Sequence, residues 1–486
     1  MKIKNKIDQL VLETLEKKGI IPSDDCTDET FLRRVFLDLT GTLPSIEEAK
    51  KFLYSKSSSK REDLISYLLE KKEFADYWSM KWCDLLRVKS EFPIKLWPNA
   101  VQAYARFIRD SLRKNKPYDS FVKELLTASG SNFRSPAVNF YRAVTEKTPL
   151  KIAEAVALNF MGVRISKWNE KKQQQMAAFF SKIGYKPTSE WKEEIVFFDR
   201  SKVFPVEPVF PDGIKPDISP DIDPRKVFVD WLVRKDNPWF VKNIVNRIFS
   251  WLLGRGIIHE PDDIREDNPP SIPELLLFLE EEMISHNFDI KHIFRIITES
   301  STYQRSSLFS KNNQNDNKFF SRYYPRRLEA EVLIDAICSV TDTSEEYFSP
   351  IPEPFTFIPW KQRSILLADG SITSPFLEMF GRPPRDTGYE SERNNDISVF
   401  QILHLLNSRH ILSKIREGSG IRRISAGAER NTAVKNIYLA ILSRNPSEEE
   451  KRYFFSYMTK NKLELNDALN DLVWALFNSK EFLFRH

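Results

Sequence analysis

The residues that could do chemistry sit mostly in the second half of the chain, and most are arginines and carboxylates. Arg382, Arg385, Glu390, Glu392 and Arg393 fall in a loop-like block that opens at Phe380-Gly381. Guanidinium groups at that density can grip a carboxylate or sulfate through two parallel hydrogen bonds, and loops often carry recognition residues. The same residues can also close the loop on itself through salt bridges. Arg326, Arg327, Glu329, Glu331 and Asp335 flank an apolar stripe of Leu328, Val332, Ala336 and Ile337. On a helix, Arg327 with Glu331 and Glu331 with Asp335 would be neighbours one turn apart. Such pairs form an ordinary charged face at a surface and an ion network if buried.

A third group, HEPDDIRED at 259–267, concentrates carboxylates after Gly256. Hard cations such as calcium want clustered oxygens, but these acids can equally cap the next helix and pair with Arg255 and Arg265. Gly254-Arg255-Gly256 should end a helix, and a helix from about Pro325 should carry Arg326 and Arg327. We therefore expect Arg255, Asp263, Arg265, Arg327, Glu331 and Arg385 to converge on one polar cluster, with Arg382, Glu392 and Arg393 beside it. A buried, paired cluster would be structural, whereas one opening into a cleft would be an anion site. Other chemistry is poorly supported. The six histidines show no i,i+4 pairing with one another, and Cys26, Cys83 and Cys338 lie far apart, so no metal site is expected. SGS at 129–131 and GSG at 418–420 lack the Gly-x-Ser-x-Gly elbow of a nucleophilic serine.

The elements that must position these groups read as helices. Ser45-Ile-Glu-Glu48 and Ser271-Ile-Pro-Glu274 have the form of capping boxes. Asn237-Pro238 opens a segment with Ile244, Ile248, Trp251 and Leu252 on one face, closed by Gly254. Residues 193–224 resist a helical reading. A β-branched and aromatic run, Ile195 to Phe198, is followed by six prolines between Pro205 and Pro224. This predicts a short edge strand or hairpin and then an extended linker. The loops 311–318 and SPIPEPFTFIPW (349–360) also stand out.

There is an internal echo: LRRVFLDLTGTLPSIEE (32–48) aligns with VKNIYLAILSRNPSEEE (434–450), and LLEKKEF (68–74) with LFNSKEF (476–482). The order is kept, which favours a duplication over chance likeness of helix caps. The pattern resembles helical repeat modules of the phycobilisome-linker-like type, which bind or scaffold.

Across 486 residues, too many for one ordinary domain, 41% are hydrophobic and 29% charged. That excludes a disordered chain. Glycine, at 14 residues, is about half as frequent as usual, which disfavours glycine-loop nucleotide folds. A net charge of +5 is too slight to suggest nucleic acid, and no apolar run is long enough for a transmembrane segment. The opening MKIKNKIDQLVLETLEKKG predicts an amphipathic helix and not a signal peptide.

Eight blocks carry a family resemblance: FLRRVFLDLTGTLPS (31–45), NKPYDSFVKELLTASG (115–130), FMGVRI…AAFF (160–180), NPWFVKNIVNRIFSWLLGRGI (237–257), PDDIREDNPPSIPELL (261–276), PRRLEAEVLIDAI (325–337), FGRPPRDTGYESER (380–393) and NSKEFLFRH (478–486). In this order they resemble the planctomycete-specific cytochrome-like domain followed by the planctomycete-specific C-terminal domain. The resemblance implies an exported protein with a Cys-x-x-Cys-His haem attachment, encoded near sulfatase-like proteins. The chain departs from it where that motif belongs: only Ser166 and Lys167 stand between Arg164-Ile165 and Trp168. Family cysteines before Glu392-Arg393 are replaced by Tyr389 and Ser391. Covalent haem is therefore expected to be absent, and no other cofactor is expected.

The expected fold is mainly α, as two helical lobes. Residues 1–198 would be the cytochrome-like domain, 199–224 a proline-rich linker, and 225–486 the C-terminal domain, ending in a repeat-like module at 430–486. The expected function is non-catalytic binding or scaffolding, with a sulfatase-like exported partner and an anionic polysaccharide as implied by the resemblance. Alternatives are electron transfer with a non-covalent or partner-supplied cofactor, and a hydrolase site in the C-terminal lobe. The resemblance places the protein outside the cytoplasm, while the missing export signal leaves the cytoplasm open.

Overall fold

Helix punctuation accounts for most of the architecture. The computed structural model describes residues 3–486, and among these helices dominate, with one three-stranded and one two-stranded antiparallel sheet. The opening helix Lys6–Lys17 buries Ile7, Val11 and Leu15 on one face, as its period requires. Ser45 and Glu48 form the expected capping box on the helix Ile46–Leu53. Asn237 Oδ1 accepts from the backbone N–H groups of Trp239 and Phe240 at the start of the helix Phe240–Leu253, and Gly254 closes it at φ 80°.

Two local expectations need correction. Ser271 does not cap the helix Pro273–Ser285: its backbone N–H is committed to the carbonyl of Ile257, and Ile272 takes the cap position. Nor do Arg326 and Arg327 begin a helix. They form a short strand paired with Phe484–Arg485, and the helix starts only at Ala330. Arg327 and Glu331 are thus not neighbours on a helix.

The β-rich segment is a hairpin of Ile183–Pro187 and Glu194–Phe198, extended by Gly130–Ser131. The prolines after it hold an irregular path that is anchored at Phe210. This ring stacks on Phe179 and on Trp231, at 5.0 Å from each, while Asp212 accepts from the Trp231 indole N–H at 2.7 Å. The linker is therefore tied down at its middle.

The two halves also share one hydrophobic core, so the lobes are not separate bodies. The helix Asp28–Thr40 is buried almost throughout. Its Arg33 donates to the carbonyls of Ile441 and Phe482 at 2.6 and 2.8 Å, and Arg34 to that of His486 at 2.9 Å.

The sequence echo has a structural counterpart. The helices Asp28–Thr40 and Arg430–Leu442, 13 residues each, both end in a left-handed residue, Gly41 or Ser443. Each is followed by a proline and a complete capping box, Ser45 with Glu48 and Ser447 with Glu450. Next come the helices Lys60–Glu70 and Leu465–Phe477, then fresh helix starts at Lys72 and Lys480 that bury Phe74 and Phe482. In both copies the first helix packs on the third and fourth. The wider spacing in the second copy goes largely into its capped helix, 13 residues against 8.

Candidate functional site

Five of the expected site residues meet in the core. Asp84, near the end of the helix Lys72–Leu85, accepts from Arg385 Nε at 2.8 Å and Arg393 Nη2 at 2.7 Å. Glu331, fully buried in the first turn of the helix Ala330–Thr341, accepts from Arg393 Nη1 at 2.7 Å and faces Arg382 Nε at 3.4 Å. Burial works against the Glu331 charge, but Arg393 and Arg382 outweigh it and bring the carboxyl down to about 2. Burial lowers Arg382 and Arg327 to about 10. Arg327 lies beside these pairs and spends its guanidinium on the carbonyls of Phe380, Asn394 and Asn395. Glu392 accepts from the backbone N–H groups of Asp386 and Thr387 and closes its own loop.

Arg255, Asp263 and Arg265 do not join this cluster. Asp263 pairs with Lys167 at 3.0 Å and Arg265 at 3.2 Å, and exposed Arg265 also reaches Asp267. Its neighbour Asp262 points inward instead, 2.5 Å from fully buried Arg247. Glu390, held by the Trp251 indole N–H at 2.7 Å, faces the same arginine at 3.5 Å. A one-residue choice within HEPDDIRED thus separates a surface acid from a core acid, which the sequence pattern does not resolve.

The network reaches further than sequence reasoning expected. Glu329 pairs with Lys81 at 2.7 Å and Arg485 at 2.6 Å, and Asp38 forms an ion pair with Arg485 at 3.1 Å and accepts from the Tyr303 and Tyr323 hydroxyls at 2.8 and 3.1 Å. These partners come from segments hundreds of residues apart, so only their charge and their place in apolar helices could have flagged them. The cavity between Lys81, Asp84, Glu390 and Arg393 is about 10 Å³, room for about one water. Buried carboxylates facing buried arginines, without space for a ligand, bind helices together.

Open sites lie elsewhere. A cleft of about 840 Å³ is lined by both halves, with Lys50, Lys361, Arg363 and Arg423 among its cations and Asp335 and Asp342 among its acids. Burial lifts Asp335 to about 6, although Arg363 and the backbone N–H groups of Ser364 and Ile365 oppose the shift. A second groove, of about 330 Å³, is bordered by Lys89, Phe92, Phe348 and Pro350. The loop 349–360 leads from this groove to Lys361 in the cleft. It carries Phe357 at 72% exposure and Trp360 at 83%, with the Lys361 ammonium 4.9 Å from the Trp360 ring. Beside them, Phe355 packs on Trp191 and Trp97, with ring separations of 5.3 and 5.4 Å.

Family models match both halves. Residues 6–183 match PSCyt2, described as a protein of unknown function (DUF1549), and residues 224–458 match PSD1, a protein of unknown function (DUF1553). The chain thus carries a PSCyt2 match followed by a PSD1 match. The two models occur in the order the sequence resemblance implied. Neither a curated protein nor a solved structure matches the chain. Within PSCyt2, Ser166 and Lys167 occupy a short 3-10 turn, Ile165–Lys167, that Lys167 ties to Asp263 of PSD1. The buried charge network also joins the two, since Asp38, Lys81 and Asp84 belong to PSCyt2 whereas Glu329, Glu331, Arg385 and Arg393 belong to PSD1.

Proposed function

We propose that this PSCyt2–PSD1 protein is a non-catalytic binding or scaffolding protein that holds an anionic polysaccharide across the face bearing the loop 349–360. The observation that carries this reading is the exposure of Phe357 and Trp360 on a loop between a polar cleft and a more apolar groove. Large aromatic side chains left in solvent mark binding surfaces, and the apolar C–H face of a sugar ring stacks on such rings. Lys361 and Arg423 at the cleft would meet sulfate or carboxylate groups, and a polar, open cleft suits a hydrated ligand better than an apolar one.

By family resemblance we further propose that it acts outside the cytoplasm beside a sulfatase-like exported partner, and without covalent haem. Ser166 and Lys167 offer neither thiols nor an imidazole for attachment. The purified protein should show no Soret band; a haem stoichiometry near one would refute that part.

The binding reading is tested by titrating the protein with one glycan backbone in sulfated and desulfated forms, following tryptophan fluorescence. The sulfated form should bind more tightly and weaken with salt. Trp360→Ala should weaken both forms, and Arg423→Ala mainly the sulfated one, with unchanged melting temperatures. Equal binding of the two forms by wild type and variants would overturn the reading.

A further inference from the structure

The helix Pro273–Ser285 ends beside the helix Ile290–Glu299, and the joining turn brings two imidazoles and a carboxylate together. Glu282 Oε2 lies 2.7 Å from His292 Nε2 and 3.5 Å from His286 Nδ1. The two rings are stacked, with centroids 3.6 Å apart and planes 15° from parallel. One ligand atom from each of the three residues can be chosen so that all lie within 4.8 Å of one another. Among the described residues, the ion pairs of Glu282 are with these two rings, so no lysine or arginine claims its charge.

The arrangement is held from outside. Asn287 and Phe288 both take left-handed backbone conformations, at φ 54° and 59°, which fold the turn tightly. Asp289 Oδ1 accepts from the His292 backbone N–H at 3.0 Å and from Asn115 Nδ2 at 2.8 Å. The Phe288 carbonyl accepts from Tyr118 N at 3.0 Å. The turn is thereby fastened to the other half of the chain. His286 Nδ1 lies 3.0 Å from the Glu282 backbone carbonyl and 3.1 Å from Ser285 Oγ, contacts that hold its ring beside that of His292, while its distance to the Glu282 carboxylate is too long for a good bond.

We propose that Glu282, His286 and His292 form a binding site for a divalent transition metal of the zinc class. Two imidazoles and a carboxylate are a donor set for zinc, at about 2.0–2.2 Å, with a fourth position left to water. Rotation of His286, whose side chain is 46% exposed, would close the set. The i,i+4 relation of Glu282 to His286 is the sequence signal for this site; a search for histidine pairs alone passes over it.

Isothermal titration of the tag-free, full-length chain with Zn(II), and cobalt(II) substitution read by its visible d–d bands, test the proposal. One equivalent of Zn(II) should bind, and Co(II) should give the intense bands of a four-coordinate site. His292→Ala and His286→Asn should each weaken binding at least about tenfold, since each removes one of three protein ligands. His404 Nε2 and His410 Nδ1 lie 3.2 Å apart elsewhere in the fold, and His410→Gln should bind as wild type. Should His292→Ala fail to fold by circular dichroism, His286→Asn at the exposed position decides alone. Less than half an equivalent bound, unchanged binding in His286→Asn, or loss confined to His410→Gln would overturn the site.

Discussion

Removing the Glu331 carboxylate would leave Arg393 without one of its two acids and Arg382 without its nearest one, both inside the core. Breaking one partner of a buried pair costs about 3–5 kcal/mol, so Glu331→Gln should lower the melting temperature clearly at pH 7. The pH dependence follows from the shift. The folded carboxyl sits near 2, below its ordinary 4.5, so its stabilisation is present above about pH 4.5 and is lost as pH falls toward 2. Melting of wild type and variant should therefore differ most near neutrality and converge in acid; a gap that stays constant down to pH 2 would contradict the pairing. Asp335 has the opposite sign. Raised to about 6, it favours the folded state most below its ordinary 3.8, and that contribution fades as pH rises through 6. At this scale the sequence made the charged residues visible, but not which were buried. Asp262 and Asp263 are adjacent and alike, yet one faces Arg247 in the core and the other Lys167 at the surface.

Helix starts were legible because capping is local chemistry within four residues. The two Pro-Ser capping boxes close the same turn in both copies of the repeated unit, and each capping glutamate also takes a cation: Lys71 on Glu48 at 2.6 Å, Arg444 on Glu450 at 2.7 Å. Ser45→Ala and Ser447→Ala should each cost about 1 kcal/mol and add in the double variant, since the two caps share no partner. Denaturant titration of the four proteins measures this; a much larger loss in one copy would mean the units are not equivalent. The failed expectations at Ser271 and Pro325 share a cause. In both places a long-range backbone partner, Ile257 or the strand Phe484–Arg485, took the segment away from its local preference.

For the whole molecule, the decisive feature is that the chain end closes the centre. Arg485 pairs with Glu329 and Asp38 while 2% exposed, and the Leu483 carbonyl accepts from Leu328 N at 2.9 Å. Deleting residues 483–486 would strip the final strand and leave two buried acids short of their arginine, a loss of several kcal/mol. Calorimetry of the full chain should show one cooperative transition, because both halves share a core. The truncated chain should melt far lower or be recovered insoluble. Two separated transitions in the full chain, or an unaffected truncation, would show that the halves are independent.

The sequence by itself determined the helical class, the hairpin and its proline-rich continuation, the paired repeat units, the family resemblance and the concentration of arginines and acids. Those properties live in composition, periodicity and contacts a few residues apart. Tertiary structure alone decided that the arginine cluster is buried and paired, that Phe357 and Trp360 of the loop 349–360 stand in solvent, and that Glu282, His286 and His292 meet. Burial and convergence depend on partners up to 452 residues away, such as His486 for Arg34, and no local pattern encodes the end-point of such a contact.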